Sequence, residues 1–138
     1  MRYFLDTNIF LRRLVYGSKK DSIECGKIFK KAEKGEILVA TAGIVLAEIA
    51  WVLGSVYKES RARIGEILGS IISMRGLEIV DTYDYTLAVK LYMKSNIKYI
   101  DAVIASTRQI VDKDWILVSY DEDFRKLPVK WQLPGSVS

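Results

Sequence analysis

The sequence predicts an α/β fold built on a mainly parallel sheet of four to five strands. Apolar runs that are too short for helices alternate along the chain with longer segments whose apolar residues recur at helical spacing. Parallel neighbours in a sheet need crossover connections, which are usually helices. The chain has 138 residues, is 50% hydrophobic and contains only two prolines, so we expect a single domain, 1–138, with one core.

The chain opens with a strand that leads directly into a helix. Residues from Tyr3 to Leu5 have the β-preferring character of a buried strand, and after Asn8 the apolar residues recur at helical spacing. Asp6 therefore lies at the carboxyl end of a strand, where open α/β sheets bind their ligands. The alternative is that Asp6 or Thr7 only caps the helix, and for this segment taken alone that interpretation is favoured.

The next elements continue the alternation. A second helix, 21–34, has lysines largely on one side and stops at Gly35. A strand at 36–40 follows because residues 37–39 are apolar and β-branched or leucine. Thr41 is then the expected N-cap of an unusually apolar helix, 42–57.

The second half of the chain repeats this pattern with clearer boundaries. Ser60 is a good N-cap and Gly76 a good helix stop, so the fourth helix is bracketed by them. The run Trp-Ile-Leu-Val at 115–118 is typical of a buried strand. The predicted helices are 60–74, 83–95 and 100–111, and the predicted strands are 77–80, 115–119 and an edge strand at 129–133.

Composition excludes several classes of function. The chain has no histidine and one cysteine, Cys25, which excludes a Ser/His/Asp triad, a His-ligated zinc and an internal disulfide. Oxygen ligands are then the credible shell for any metal. No apolar run approaches the ~20 residues of a membrane span, and the first residues are unlike a signal peptide, so we expect a cytoplasmic protein without membrane association. The net charge of +4 is compatible with a polyanionic partner.

Two apolar helices each carry one isolated acid. Glu48 lies in 44–52, where eight of nine residues are apolar and no lysine or arginine is within one turn. A buried, unpaired carboxylate is costly, so Glu48 needs either a distant cationic side chain or a metal ion, and the ion pair is the favoured interpretation for Glu48 alone. Asp101 is similar, although an acid in the first turn also suits the helix dipole.

The four acids are more informative together than singly. Asp6 and Asp121 each follow a short apolar strand, although Asp121 alone could form an Asx turn. If Asp6, Glu48, Asp101 and Asp121 meet in one crevice, they repel one another unless divalent cations such as Mg2+ or Mn2+ neutralise them. Such ions can activate a water and stabilise the leaving oxygen of a phosphoryl displacement. The conjunction therefore predicts metal-dependent phosphate chemistry.

The order of these motifs resembles that of PIN-domain ribonucleases, especially VapC-type toxins. The motifs are Leu-Asp-Thr-Asn at 5–8, Ala-Glu at 47–48, Tyr-Ile-Asp-Ala-Val-Ile-Ala at 99–105 and Ser-Tyr-Asp-Glu-Asp-Phe at 119–124. The resemblance spans nearly the whole chain. It implies a three-layer α/β/α sandwich, cleavage of single-stranded RNA with Mg2+ or Mn2+, a homodimer and a small cognate antitoxin.

The same resemblance assigns roles to individual residues. The catalytic and metal-binding acids would be Asp6, Glu48, Asp101 and Asp121, with Asp123 as a further candidate metal ligand. Supporting residues would be Thr7, Asn8, which would orient Asp6, and Ser119, which stands where the family usually has Thr and keeps the hydroxyl. A turn is favoured at 119–124, because acids in succession are poor strand residues. On that geometry Asp121 points into the crevice beside Asp6, while Asp123 caps the turn or acts through a metal-bound water.

The sequence predicts the surfaces for RNA binding and dimer formation less specifically than it predicts the acidic site. Arg12 and Arg13 could steer RNA by counterion release, although a solvated helix face explains them equally well. The helices between Ala42 and Met74 offer apolar surface for a homodimer. The residues expected there are Ile44, Trp51, Val52, Ile64, Ile67, Leu68 and Ile71.

Three other functions stay open. A PIN-domain nuclease of RNA processing shares the four acids, and the small size favours the toxin. A phosphotransferase with Asp6 as nucleophile is disfavoured, because Asn8 stands where a second carboxylate would be needed. A catalytically silent PIN-like RNA-binding module would be expected to have lost an acid, and all four are present.

Overall fold

The computed structural model describes residues 2–138, which form one five-stranded sheet with parallel pairing throughout. The strands are β1 (Arg2–Leu5), β2 (Leu38–Thr41), β3 (Leu77–Ile79), β4 (Trp115–Val118) and β5 (Trp131–Gln132). Their order across the sheet is β3-β2-β1-β4-β5. The chain therefore starts in the middle of the sheet, and the predicted parallel α/β fold is confirmed.

Within the same residues, seven α-helices connect the strands. They are α1 (Thr7–Leu14), α2 (Lys19–Glu33), α3 (Gly43–Ser55), α4 (Arg61–Ile72), α5 (Tyr85–Lys94), α6 (Tyr99–Ala105) and α7 (Arg108–Val111), and short 3-10 helices lie at Glu122–Lys126 and Pro134–Ser136. None of the helices in the described part of the chain has the length and apolar character needed to cross a bilayer.

The core lies on both faces of the sheet. Tyr3, Phe4 and Leu5 of β1 are all buried. Because successive side chains of a strand point to opposite faces, burial of consecutive residues means that both faces are covered. This is the three-layer arrangement in which strand ends remain open at the edge of the sheet.

The predicted helix 100–111 is wrong as one element, because the chain breaks between α6 and α7. Ser106 donates its hydroxyl to the carbonyl of Val103 at 2.7 Å, competing with the backbone for helical hydrogen bonds. Backbone groups at the break, which no longer bond within a helix, bond instead to the loop before α5. The carbonyl of Thr82 accepts from the Arg108 amide at 2.8 Å. The break is thus stabilised by a contact distant in sequence.

The start of α3 also differs from expectation. The predicted cap, Thr41, belongs to β2, and its hydroxyl donates to the Leu5 carbonyl at 2.9 Å. Asp81 serves instead, since its Oδ1 accepts from the Gly43 amide and from the Tyr83 hydroxyl, each at 2.7 Å. An acid 38 residues along the chain therefore caps the helix that carries Glu48.

We expect Asp81→Ala to lower the free energy of unfolding by about 1 kcal/mol, the usual effect of losing a helix cap. Asp81→Asn keeps an acceptor oxygen and should lose less. Urea denaturation measures both changes. Equal stability of Asp81→Ala and wild type would show that this contact does not hold α3.

Candidate functional site

Four acidic side chains from separate parts of the fold line one small pocket. Asp6 follows β1, Asp121 lies beyond the end of β4, Glu48 lies in α3 and Asp101 in α6. Because β1 and β4 are parallel neighbours, their carboxyl ends meet at one edge of the sheet. The pocket encloses about 130 Å³, and its other lining residues are Thr7, Asn8, Leu11, Tyr16, Val52 and Lys98.

Asp6 is held by two short hydrogen bonds. Its Oδ1 accepts from the Thr7 amide at 2.8 Å, and its Oδ2 accepts from the Ser119 hydroxyl at 2.6 Å. The side chain is therefore both a helix cap and a pocket residue, so the two interpretations are compatible. Burial raises the pKa of Asp6 to about 6, with a smaller contribution from the charges of Glu48 and Asp121, while the two hydrogen bonds oppose the rise.

Asp101 is the least satisfied of the four acids. Its side chain is buried, and within residues 2–138 its Oδ2 has no hydrogen-bond partner. The pKa of Asp101 is raised to about 7, mainly by burial and to a smaller extent by the charges of Asp6 and Asp121, while Lys98 opposes the rise. A buried carboxylate oxygen without a partner is costly, so this position favours either a proton or a cation.

Glu48 is half-buried and bonded to a hydroxyl. It accepts from the Thr7 side chain, 41 residues away in sequence. None of the ion pairs formed by residues 2–138 includes Glu48, so the favoured ion pair is wrong. The reason is that Glu48 of α3 lies at the pocket beside the first turn of α1. The nearby donor there is the Thr7 hydroxyl.

The acidic turn separates its two aspartates. Asp121 caps the 3-10 helix Glu122–Lys126 by accepting from the Asp123 amide at 2.9 Å, and it lines the pocket. Asp123 is absent from the pocket lining and pairs with Lys126 at 3.2 Å. Phe124 is buried beneath the turn. The structure thus brings Asp121, but not Asp123, to the other three acids. The prediction that Asp123 caps the turn is wrong, because the Asp121 carboxylate accepts from the Asp123 amide and is itself the cap.

Two hydroxyl residues connect the acids. Ser119 donates to Asp6 and accepts from the Asp121 amide at 3.0 Å. Thr7 connects Asp6, through its amide, to Glu48, through its hydroxyl. Asn8 lines the pocket, although in the described part of the chain it makes no side-chain hydrogen bond to Asp6.

The two arginines that could steer RNA, Arg12 and Arg13, are engaged within the fold. Arg12 pairs with Asp21 at 2.8 Å, and its guanidinium lies 3.9 Å from the centre of the Tyr120 ring. Arg13 donates to the Ser22 hydroxyl at 3.0 Å. Lys98, which belongs to none of the acidic motifs, is the cationic side chain among the lining residues of the pocket. Its position next to the first turn of α6, three residues before Asp101, is the signal that could have identified it.

The donor set suits a hard divalent cation. Carboxylate oxygens are the preferred ligands of Mg2+ and Mn2+, and the unpartnered oxygen of Asp101 adds a reason for a cation at this position. Among residues 2–138, no three acidic side chains are close enough together to form a compact metal cluster. Asp6, Glu48 and Asp121 each accept a hydrogen bond from a neighbouring amide or hydroxyl of the protein. The pocket therefore fits a divalent ion in charge and chemistry, with its candidate ligands spread around it.

Comparisons with known proteins concern the family and the fold of this chain. A family model described as "PIN domain" matches residues 3–130. Among solved structures, VapBC2 from Rickettsia felis bound to a DNA fragment from their promoter contains a similar chain, with a TM-score of 0.70 and 24% sequence identity. The match covers 96% of this chain and 98% of that chain. No match was found among curated proteins.

Proposed function

The chain belongs to the PIN domain family, and from that premise we propose that it is a metal-dependent endoribonuclease that cleaves single-stranded RNA. PIN domains are generally nucleases that use divalent metal ions. The observation that supports this function best is the meeting of Asp6, Glu48, Asp101 and Asp121 around one pocket, where a buried oxygen of Asp101 has no partner among residues 2–138.

In this proposal the four acids hold Mg2+ or Mn2+. An ion held by these carboxylates would lower the pKa of an attacking water and would stabilise charge on the leaving oxygen. Ser119 and Thr7 fix the orientation of Asp6, and their hydrogen bonds favour its charged form. Lys98 lies at the pocket wall, where a cation attracts the phosphate of the strand to be cleaved.

A cleavage assay tests this function. Labelled single-stranded RNA should be cut in Mg2+ or Mn2+ and left intact in EDTA, with single-stranded DNA and duplex RNA as comparison substrates. Cleavage that persists in EDTA would contradict the proposal. Binding of RNA without cleavage in any divalent ion would instead identify a silent RNA-binding module.

Asp121 and Asp123 provide an internal comparison two residues apart. We expect Asp121→Asn to reduce the rate far more than Asp123→Asn at saturating metal, because Asp121 lines the pocket and Asp123 pairs with Lys126. Initial rates of RNA cleavage rank the two variants. The reverse ranking would mean that Asp123 is the fourth ligand.

We extend the proposal to a toxin of a VapBC-type pair that acts in the cytoplasm and is inhibited by a small antitoxin. The support is the shared fold with a chain of the Rickettsia felis VapBC2 complex. No feature of the pocket favours an RNA-processing nuclease over this toxin. A small open reading frame beside the gene, whose product suppresses cleavage, is the expected finding.

A homodimer is also part of the proposal, on a smaller surface than the sequence suggested. Ile67 and Ile71, expected at the interface, are buried in the core of one chain because they face inward from α4. Trp51 is 65% exposed, and a groove of about 470 Å³ lies between α3 and α4. Sedimentation at micromolar concentration should show a dimer, and a monomer there would contradict this part of the proposal.

A further inference from the structure

An aromatic ring forms part of the wall of the acidic pocket. Among residues 2–138, Tyr16 is the one aromatic residue that lines the pocket, and Leu11 and Val52 extend this apolar side. Carboxylates and waters alone are sufficient to hold a hard divalent ion. A wall that adds a ring and aliphatic side chains to four acids therefore indicates a ligand with an apolar part beside its anionic part.

The Tyr16 ring is stacked on a second ring. Its centroid lies 4.6 Å from the centroid of the Tyr57 ring, and the two planes are 26° apart. Tyr57 is 39% exposed, so the pair lies at the surface of the molecule and is not part of the core. Tyr57 covers only one face of the Tyr16 ring, and Tyr16 still contributes to the pocket wall.

Both rings follow helices that supply pocket residues. Tyr16 lies two residues beyond the end of α1, and Tyr57 lies two residues beyond the end of α3. Each is followed by a constrained turn residue. A Cβ on Gly17 would clash with the carbonyl oxygen of Arg12, and Lys58 has a φ of 55°, which is uncommon for a residue other than glycine. The ring pair is therefore held in place relative to the acids on the same two helices.

The pocket has no room for a whole nucleotide. Its volume of about 130 Å³ corresponds to about four water molecules in the liquid. An ion with its bound water and one phosphate group would fill this space. A base attached to that phosphate must then lie at the rim of the pocket, where Tyr16 supplies the aromatic surface.

Tyr16 is also uncharged at neutral pH. Burial raises the pKa of Tyr16 to about 12, and the Tyr57 hydroxyl and the charge of Glu48 contribute to the rise, whereas Arg12 opposes it. A neutral ring beside the acids is suited to contact an uncharged part of the ligand. Nucleobases are such a part, and all of them can stack on an aromatic side chain.

We propose that Tyr16, supported by Tyr57, stacks on the base attached to the phosphate that the acidic pocket holds. The base must be unpaired and unstacked, because both faces of a base within a duplex are covered by its neighbours. The inference rests on the proposed ribonuclease function, because it names how the substrate of that same pocket is positioned.

A thermodynamic cycle between ring and base tests the stacking. The affinity of the full chain for a short, fluorescent single-stranded RNA is measured by anisotropy in Ca2+, which binds carboxylate ligands, and electrophoresis verifies that the RNA stays intact. The same RNA is then prepared with one base removed, at each position in turn. At one position, loss of the base should weaken binding to wild type about tenfold and leave binding to Tyr16→Leu unchanged.

Three further variants complete the cycle. Tyr16→Phe keeps the ring and should bind within about twofold of wild type. Tyr57→Leu should weaken binding in the wild-type background but not in Tyr16→Leu, because Tyr57 acts through Tyr16. Tyr85→Leu is the matched control, since Tyr85 is 62% exposed and lies beside the Tyr83 ring at 5.8 Å but is absent from the wall of the acidic pocket. Its affinity should equal that of wild type, and circular dichroism verifies that each variant is folded.

Several results would overturn the inference. These are a wild-type chain that does not bind the RNA, or a Tyr16→Leu variant that binds the intact RNA as wild type does. Equal weakening by Tyr16→Leu for the intact RNA and for every RNA with a base removed would also overturn it, and would make the ring pair a structural contact between α1 and α3.

The proposed function fails separately from this inference. If the dependence on one base holds but wild type does not cleave RNA in Mg2+ or Mn2+, the stacking is supported and the nuclease is rejected. If wild type cleaves RNA but no base distinguishes it from Tyr16→Leu, only the stacking is rejected.

Discussion

Asp101→Asn is expected to reduce kcat/KM for RNA cleavage by about 100- to 1,000-fold, the usual loss when one preorganised electrostatic group is removed. The folded chain should be as stable as wild type, or more stable, in the absence of divalent ions. The reason is that Asp101 is buried among other acids with an unpartnered oxygen, so removing its charge relieves repulsion. Cleavage rates and thermal melts of the same preparations measure both effects.

Substitutions of two other pocket acids test the same loss of cleavage, and an exposed acid outside the pocket provides the control. Asp6→Asn and Glu48→Gln should also lose cleavage. Asp112→Asn, an exposed acid beside Arg108, should retain it. A wild-type rate in Asp101→Asn would contradict the assigned role of the pocket. A large loss of metal-free stability in Glu48→Gln would indicate that Glu48 has a structural role instead.

Without divalent ions, the melting temperature is expected to fall as the pH rises from about 4 to about 8. Folded Asp101 and Asp6 have pKa values of about 7 and about 6, above the ordinary value of 3.8, so in this window the folded chain binds more protons than the unfolded chain. Rising pH therefore favours unfolding. Mn2+ added at pH 8 should raise the melting temperature by about 3 °C or more, because it binds only the folded pocket.

The variant Asp101→Asn isolates this effect from the titration of other groups. Its melting temperature should depend less on pH over the same range, and Mn2+ should raise it less. Differential scanning calorimetry at several pH values measures both. Identical pH profiles for wild type and Asp101→Asn would show that the buried acids do not control the metal-free stability.

The strand-end acids could be predicted from sequence because their positions follow from local patterns. A short apolar run ends before Asp6, and another ends before Ser119 and Asp121. Parallel strands bring such ends to one edge of the sheet, whatever the details of packing. The turn at 121–123 was likewise set by local residue types. The strand ends before Asp6 and Ser119, and the presence of a turn after Ser119, therefore follow from local sequence.

Contacts between distant elements could not be predicted in the same way. The hydrogen bond between Thr7 and Glu48 depends on how α1 packs against α3. The spacing of residues within each helix does not determine the packing angle between two helices. The ion pair of Arg12 with Asp21 could not be predicted either, because Asp21 lies across the loop between α1 and α2. The break in the predicted helix 100–111 likewise depends on acceptors in the loop before α5.

Binding of Mn2+ distinguishes one shared cation site from four unrelated acids most directly. Titration of Mn2+ into wild type and Asp101→Asn at pH 7.5 can be followed by electron paramagnetic resonance, with no RNA present. Wild type should bind Mn2+, and Asp101→Asn should bind it about 10- to 100-fold more weakly or not at all. Equal Mn2+ affinity in the two proteins, or no binding by wild type, would contradict the assignment of a metal site to this pocket.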